Sequence, residues 1–208
     1  ELTRLLAKEK AISSITVFDN LSKGHHNFFL GEAYAEPEKI RFVKGEVLDS
    51  RTLRREVARV DVVVHLAAVV TTPFANTDPH FYEQVNHWGT AEVVYAVEAA
   101  RISKFIYLSS TSVYGASSEM ADDSTPPSPT TFYGVSKLRG EEHVRRLMKS
   151  INTVILRSGN AYGYNRSARF DAVINRCMFE AHFSRRVPVF GTGKQKCAFV
   201  SIATLACQ

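Results

Sequence analysis

Short apolar runs alternate with amphipathic stretches along most of the chain. The runs SITVFDN (14–20), KIRFVKG (39–45), VDVVVHLAAVV (60–70), KFIYLSS (104–110) and NTVILRSGN (152–160) predict strands. Between them, residues 1–9 place Leu2, Leu5 and Leu6 on one helical face, SRTLRREVAR predicts a helix opened by Ser50, and residues 79–101 and about 132–148 predict two longer helices. The run at 60–70 is apolar on both faces, which a parallel sheet covered by helices on each side requires and a half-wet antiparallel sheet does not. SSEMADDSTPPSPTT (117–131) reads as a Pro/Ser-rich loop. Past 168 the pattern changes to a helix, RFDAVINRCMFEAH, a short strand, VPVF, and a turn, GTGK, so a lobe boundary is expected near 165, with 1–165 and 166–208 on its two sides. No internal repeat is present.

Composition narrows the class. Hydrophobic residues at 45% and charged residues at 23% of 208 exclude a disordered or fibrous chain. No apolar run approaches the ~20 residues of a membrane helix, and ELTRLLAKEK lacks the apolar centre of a signal peptide, so a soluble cytoplasmic protein with no membrane partner is expected. The net charge of +5 comes from short basic pieces, RTLRREVAR and HVRRLMK, that read as solvated helix faces without interleaved aromatics. Nucleic acid is therefore not an expected partner, whereas an acidic small molecule is compatible. Cys177, Cys197 and Cys207 form no CxxC pair and are odd in number, which suits a reducing compartment. His25, His26 and His182 are not grouped with cysteines or acids at ligand spacing, so no metal is expected.

Candidate chemistry gathers at one strand end and one helix start. In open α/β sheets ligands bind outside the carboxyl ends of strands, which makes Ser109, Ser110 and Thr111 candidates by position. In FYGVSK, Tyr133 precedes Lys137 by four residues. Eight Tyr and ten Lys produce about 0.4 such pairs by chance, so the spacing alone is weak. On a helix the two share a face, and an ammonium beside a phenol favours phenolate, at about 1.4 kcal/mol per unit of acidity. A surface helix pair is the bland alternative. A hydroxyl from Ser110 could share the substrate's proton.

The order of these features resembles the extended short-chain dehydrogenase/reductase family, in its sugar-nucleotide epimerase/dehydratase branch. The matching segments are VFDNLSKG, VKGEVLD, VVVHLAA, NHWGT, YLSSTSVYG, PPSPTTFYGVSK, LRSGNAYG and VFGTGKQ…FVSI, spread over nearly the whole chain. The resemblance implies a Rossmann-type doubly wound parallel sheet with the start of a small C-terminal substrate lobe. It implies that Asp19 accepts the adenosine ribose hydroxyls and favours NAD over NADP, with Asn20 and Ser22 in the same pocket. Glu46 and Val47 would flank the adenine, Leu66, Ala67 and Ala68 would wall the cofactor, and Ser109 would join them. Ser110, Tyr133 and Lys137 would form the catalytic trio, and Ser110, Tyr133 and Asn160 would meet substrate. Asn86 would order the active-site end of its helix, while His65 reads equally as a packing residue. The implied reaction is epimerisation of a nucleotide sugar through a keto intermediate: Tyr133 removes a hydroxyl proton, and NAD takes and returns a hydride. A homodimer built from the helices near 80–100 and 132–148 is implied as well.

Three departures qualify this. The family's first strand and its GxxGxxG turn have no counterpart, which suggests a fragment or missing residues; the chain also stops at Gln208, before the substrate lobe would be complete. Cys197 and Ser201 stand where the family commonly has arginine and histidine, which removes a charge-assisted pyrophosphate contact that Lys194 or Lys196 replaces without the bidentate fork. Ser112 occupies the place where dehydratases and decarboxylases usually carry an acid, so epimerase ranks ahead of a nucleotide-sugar reductase or dehydrogenase, and that ahead of dehydratase. The rival from another class is a non-catalytic protein that keeps the NAD-binding fold; a nucleic-acid binder is more distant.

Overall fold

The apolar runs become strands and the amphipathic stretches helices. The computed structural model describes residues 1–22, 28–29, 33–70, 78–117, 120–165, 169–170, 172–189, 191–194 and 196–207; His25 and His26 lie outside them. Two compact units divide the chain, residues 1–43 with 159–208, and residues 44–158.

In the unit of residues 44–158, helix α2 (Ser50–Val57) opens at Ser50 as expected, and Asp49 before it is the N-cap, its carboxylate accepting the Thr52 N–H at 3.2 Å. Strands β3 (Val62–His65), β4 (Lys104–Ser110) and β5 (Asn152–Ser158) form a parallel sheet in that order, with β4 in the middle. Parallel neighbours require crossovers, and helices supply them. Between β3 and β4 run α3 (Pro79–Tyr82), a π-helical stretch (Glu83–Trp88) and α4 (Gly89–Glu98); between β4 and β5 run a 3-10 turn (Thr111–Tyr114) and α5 (Phe132–Leu147). Helix α5 packs on β4, β5 and α4, and α4 packs on α2 and β3. The core between them holds Val94, Val97, Phe105, Tyr107, Val144 and Leu147, all fully buried.

The expected strand over 60–70 is shorter than its apolar run and is not covered along its length. Only four residues pair with β4, and Val62 and Leu66 are 46% and 49% exposed. The reason is a competing partner for the backbone. The Asn86 amide accepts the Val69 N–H at 2.8 Å and donates to the Val69 carbonyl at 2.9 Å, so this segment is held by a side chain in place of a ladder.

The other unit contains α1 (Leu2–Leu6), neighbouring strands β1 (Ile15–Asp19) and β2 (Ile40–Lys44), parallel strands β6 (Asn160–Tyr162) and β7 (Phe199–Ser201), α6 (Val173–Phe183) and α7 (Ile202–Ala206). The expected strand VPVF does not form: Val187–Val189 are in no strand, Val187 and Val189 are 48% and 69% exposed, and Phe190 lies outside the described residues. A short apolar run makes a strand only where a ladder partner is available, and Pro188 within it has no N–H to give to a ladder. Among the described residues no helix is long and apolar enough to cross a membrane.

Candidate active site

Helix α5 organises the site. Thr131 caps it by accepting the Gly134 N–H at 3.0 Å, and one face then carries Tyr133, Lys137 and Glu141 at intervals of four. A Cβ on Gly134 would lie 2.5 Å from the Ser112 carbonyl oxygen, so only glycine lets the first turn of α5 rest against the 3-10 turn that follows Ser110. Tyr133 is half-buried, with its ring edge-on to Tyr82 at 6.2 Å. Lys137 is 2% exposed, and its Nζ sits 4.2 Å above the Tyr107 ring. Burial lowers its pKa to about 7, against the opposing charge of Glu141. Ser110 is nearly buried; its Oγ accepts the Ser112 N–H and donates to Ser112 Oγ, each at 3.1 Å, which starts the 3-10 turn.

A second chain of bonds reaches Tyr133 from β3. Asn86, fully buried in the π-helical stretch, holds Val69 and also donates to Ser136 Oγ at 3.1 Å, and Ser136 Oγ donates to the Tyr133 carbonyl at 2.9 Å. Asn86 therefore fixes the segment of Leu66, Ala67 and Ala68, the first two exposed and the third half-buried, against the first turn of α5. His65 is a packing residue. Its ring stacks on Tyr107 at 5.5 Å, and its Nε2 donates to Thr90 Oγ1 at 3.0 Å, because that hydroxyl's own proton goes to the Asn86 carbonyl at 2.6 Å. Burial first, and then the Lys137 charge, push its pKa down to about 3, so it is neutral.

The Ser109 side chain, expected along the cofactor wall, is instead buried and turned into the helix layer, where its hydroxyl donates to Glu141 Oε1 at 2.6 Å. Glu141 is completely buried and also receives Arg157 Nε at 2.9 Å, Arg157 Nη2 at 2.7 Å and Arg145 Nη2 at 3.0 Å. Arg157 in turn lies 4.8 Å over the ring of Tyr114. The sequence reading missed this network; its signal was an acid four residues beyond Lys137. A cleft of about 570 Å³ beside it is lined by Thr111, Tyr114, Asp122, Arg145 and Arg157, among others, and not by Ser110, Tyr133 or Lys137.

Of the adenine-flanking candidates in this unit, Glu46 is exposed, and Val47 is buried against Gly89, whose added Cβ would meet Val47 Cγ1 at 2.7 Å. Asp19, Asn20, Ser22 and Asn160 belong to the other unit. Asp19 is exposed at the carboxyl end of β1 and accepts the Leu21 N–H at 2.6 Å; Asn20 accepts the Ser22 N–H at 2.9 Å. These two turns hold Leu21 in the left-handed region at φ 58°. Asn160 is exposed, pairs with Phe199, and donates its amide to the Ala198 carbonyl at 3.4 Å. Cys197, Lys194 and Lys196 are exposed, and Ser201 caps α7 by accepting the Thr204 N–H at 3.0 Å. Among the described residues no three His, Cys, Asp or Glu side chains group as metal ligands.

The family model described as NAD dependent epimerase/dehydratase matches residues 1–206. A dTDP-D-glucose 4,6-dehydratase of Bos taurus is 31% identical over 169 residues, covering 79% of this chain and 47% of its own. A putative UDP-glucose 4-epimerase of Methanocaldococcus jannaschii is 27% identical over 199 residues, covering 92% and 63%. The fold superposes on a dTDP-glucose 4,6-dehydratase from Streptomyces venezuelae with TM-score 0.87 at 23% identity, covering 99% of this chain and 65% of that one. A UDP-glucuronic acid 4-epimerase from Bacillus cereus, in complex with NAD, superposes with TM-score 0.81 at 26% identity, covering 99% and 66%. The chain spans about half the length of the mammalian dehydratases it matches.

Proposed function

From the premise that the chain belongs to the NAD-dependent epimerase/dehydratase family, we propose that the intact protein epimerises a nucleotide sugar, with Tyr133 moving the proton of the reacting hydroxyl. The observation that carries this reading is the face of α5, where Tyr133 precedes by one turn a buried Lys137 whose pKa has fallen to about 7. A lysine in that range is balanced between its charged and neutral forms near neutral pH, so small changes around it decide whether Tyr133 has a cation one turn away.

The residues present fit NAD. An exposed carboxylate, Asp19, stands at a strand's carboxyl end in a turn that fixes its direction, which suits a ribose diol, and Lys137 offers ammonium donors that suit a second ribose. In one unit Asp19, Asn20 and Ser22 are the residues proposed for the adenosine end; in the other, Glu46, Val47, Leu66, Ala67 and Ala68 are the candidates for cofactor contacts and Lys137 for the nicotinamide ribose. When bound, NAD supplies a two-electron acceptor for the hydride of the carbinol carbon and donates it back. Tyr133 Oη takes the hydroxyl proton as the carbonyl forms and returns it as the alcohol is restored. Ser110 Oγ hydrogen-bonds the same sugar oxygen and keeps it within reach of Tyr133. Lys137 holds positive charge beside the phenolate, and Asn160, in the other unit, is the further candidate for substrate recognition.

Epimerisation is favoured over elimination because Ser112, not an acid, follows Thr111, and its hydroxyl is engaged by Ser110. Loss of water needs a group that donates a proton to the departing oxygen. Dehydration is the second reading, favoured by the resemblance to the bovine dehydratase. Pairing of two copies through α3–α4 and α5 belongs to the same proposal, supported by exposed Phe81, Trp88 and Phe132 on those helices. The experiment is to incubate the intact protein with NAD and, separately, UDP- and dTDP-hexoses and to analyse products by mass and chromatography. An isomer of unchanged mass is expected; a product lighter by one water would replace epimerisation with dehydration, and no turnover of any sugar would reject both.

A further inference from the structure

Ser109 and Arg157 are register partners across β4 and β5, so their side chains leave the same face of the sheet. Both end on one carboxylate, Glu141, which α5 delivers from the turn after Lys137 and two turns after Tyr133. Successive strand residues face opposite ways, so fixing the Ser109 hydroxyl fixes the direction in which Ser110 projects. Arg157 extends the tie to the 3-10 turn by covering Tyr114. We propose that Glu141 is a positioning residue: it locks the carboxyl ends of β4 and β5 to the helix of Tyr133 and Lys137, and so keeps Ser110 and the Tyr133–Lys137 pair in one frame. This rests on the function proposed above, in which those three residues act together.

The alternative, that Glu141 only stabilises the fold, differs in what it predicts. A buried acid with two arginines and a serine is costly to assemble, and an apolar replacement of such a set is often no less stable. Placing one here, a single turn from Lys137, also puts a negative charge where it supports the ammonium. The groups facing Lys137 are Glu141 and Tyr133 on its own helix, Tyr107 on β4 and His65 on β3; those facing Glu141 are Arg145, Arg157 and Ser109. His65 is neutral above about pH 3 and adds no charge to the set over the range in which Lys137 titrates.

The test uses Glu141→Gln in the intact protein, reading kcat, KM and the titration of Lys137 by NMR of isotope-labelled lysine, with Lys137→Arg assigning the signal. The expected result is a folded protein whose Lys137 midpoint falls by ~0.5–1 pH unit and whose kcat falls roughly 10- to 100-fold with KM for sugar and NAD little changed. A parental kcat and a parental Lys137 midpoint overturn the inference. Ser109→Ala keeps the ion pairs and removes only the strand tie, so it carries the test if Glu141→Gln does not fold: kcat falls about threefold to tenfold with an unchanged KM for NAD, and a parental kcat overturns the inference. Tyr133→Phe run alongside separates the two levels. Turnover that survives Tyr133→Phe overturns the function on which the inference rests; loss in Tyr133→Phe with none in Glu141→Gln overturns the inference alone.

Discussion

Helices α5 and α6 reverse what their sequences lead one to expect. α5 reads FYGVSKLRGEEHVRRL, with four arginines and lysines and two glutamates, yet it buries seven residues, Lys137 and Glu141 among them. α6 reads VINRCMFEAHF, is the more apolar of the two, and buries none: Val173, Met178 and Phe183 are 58%, 66% and 68% exposed. The difference lies in what each helix meets. α5 has β4, β5 and α4 around it and offers small residues, Gly134, Ser136 and Gly140, for close approach. The aromatic side chains of α6 meet one another and the segment before it, with Phe179 tilted against Phe183 at 4.6 Å and edge-on to Phe170 at 5.2 Å. Burial is a property of the partner as much as of the helix, and charge is carried inward where the partner supplies the opposite charge.

The comparison breaks first at Arg157. Arg157→Leu leaves the buried Glu141 carboxylate with one arginine fewer, and a loss of about 3 kcal/mol of stability is expected in denaturant unfolding; a loss below ~1 kcal/mol would mean that Arg145 suffices and that α5 is not held by this tie. Next comes pH. Folded Lys137 has a pKa near 7 against an ordinary 10.5, and folded His65 about 3 against 6.5, so in both windows the unfolded chain binds more protons. Stability therefore falls with acid from about pH 6.5 towards 3 and rises again from about pH 7 towards 10.5, at up to about 1.4 kcal/mol per pH unit for each group. In Lys137→Met the alkaline rise is expected to vanish while the acid limb stays, and an unaltered alkaline slope would place the titration elsewhere. The smallest effect belongs to α6. Met178→Ser should change unfolding free energy by less than ~0.5 kcal/mol; a loss beyond ~1 kcal/mol would show that the exposed face is covered in solution, and the contrast with α5 would close.

The parallel sheet, β4 with its polar end, and the Tyr133–Lys137 face of α5 were legible because each depends on residues close together in sequence: an apolar run, a hydroxyl cluster, a spacing of four. The end of β3 was not, because Asn86, 17 residues on, takes the backbone of Val69. VPVF carries a strand's apolar composition, yet its described residues, 187–189, are in no strand. His65 could be read either way until Thr90 and Tyr107 were seen around it. The Glu141 network was least visible of all. It joins residues 16 and 32 positions apart through a strand register, and within NTVILRSGN a single arginine gives no hint that it points at a buried acid.

The measurement that tests the central claim most directly is turnover of a nucleotide sugar by the intact protein and its Tyr133→Phe variant, with NAD present and folding checked by circular dichroism. Loss of general base catalysis predicts a fall in kcat of about 10²- to 10⁴-fold in a protein that remains folded. Turnover within twofold of the parent, in a folded Tyr133→Phe protein, would contradict the assignment of Tyr133 and with it the proposed chemistry of this site.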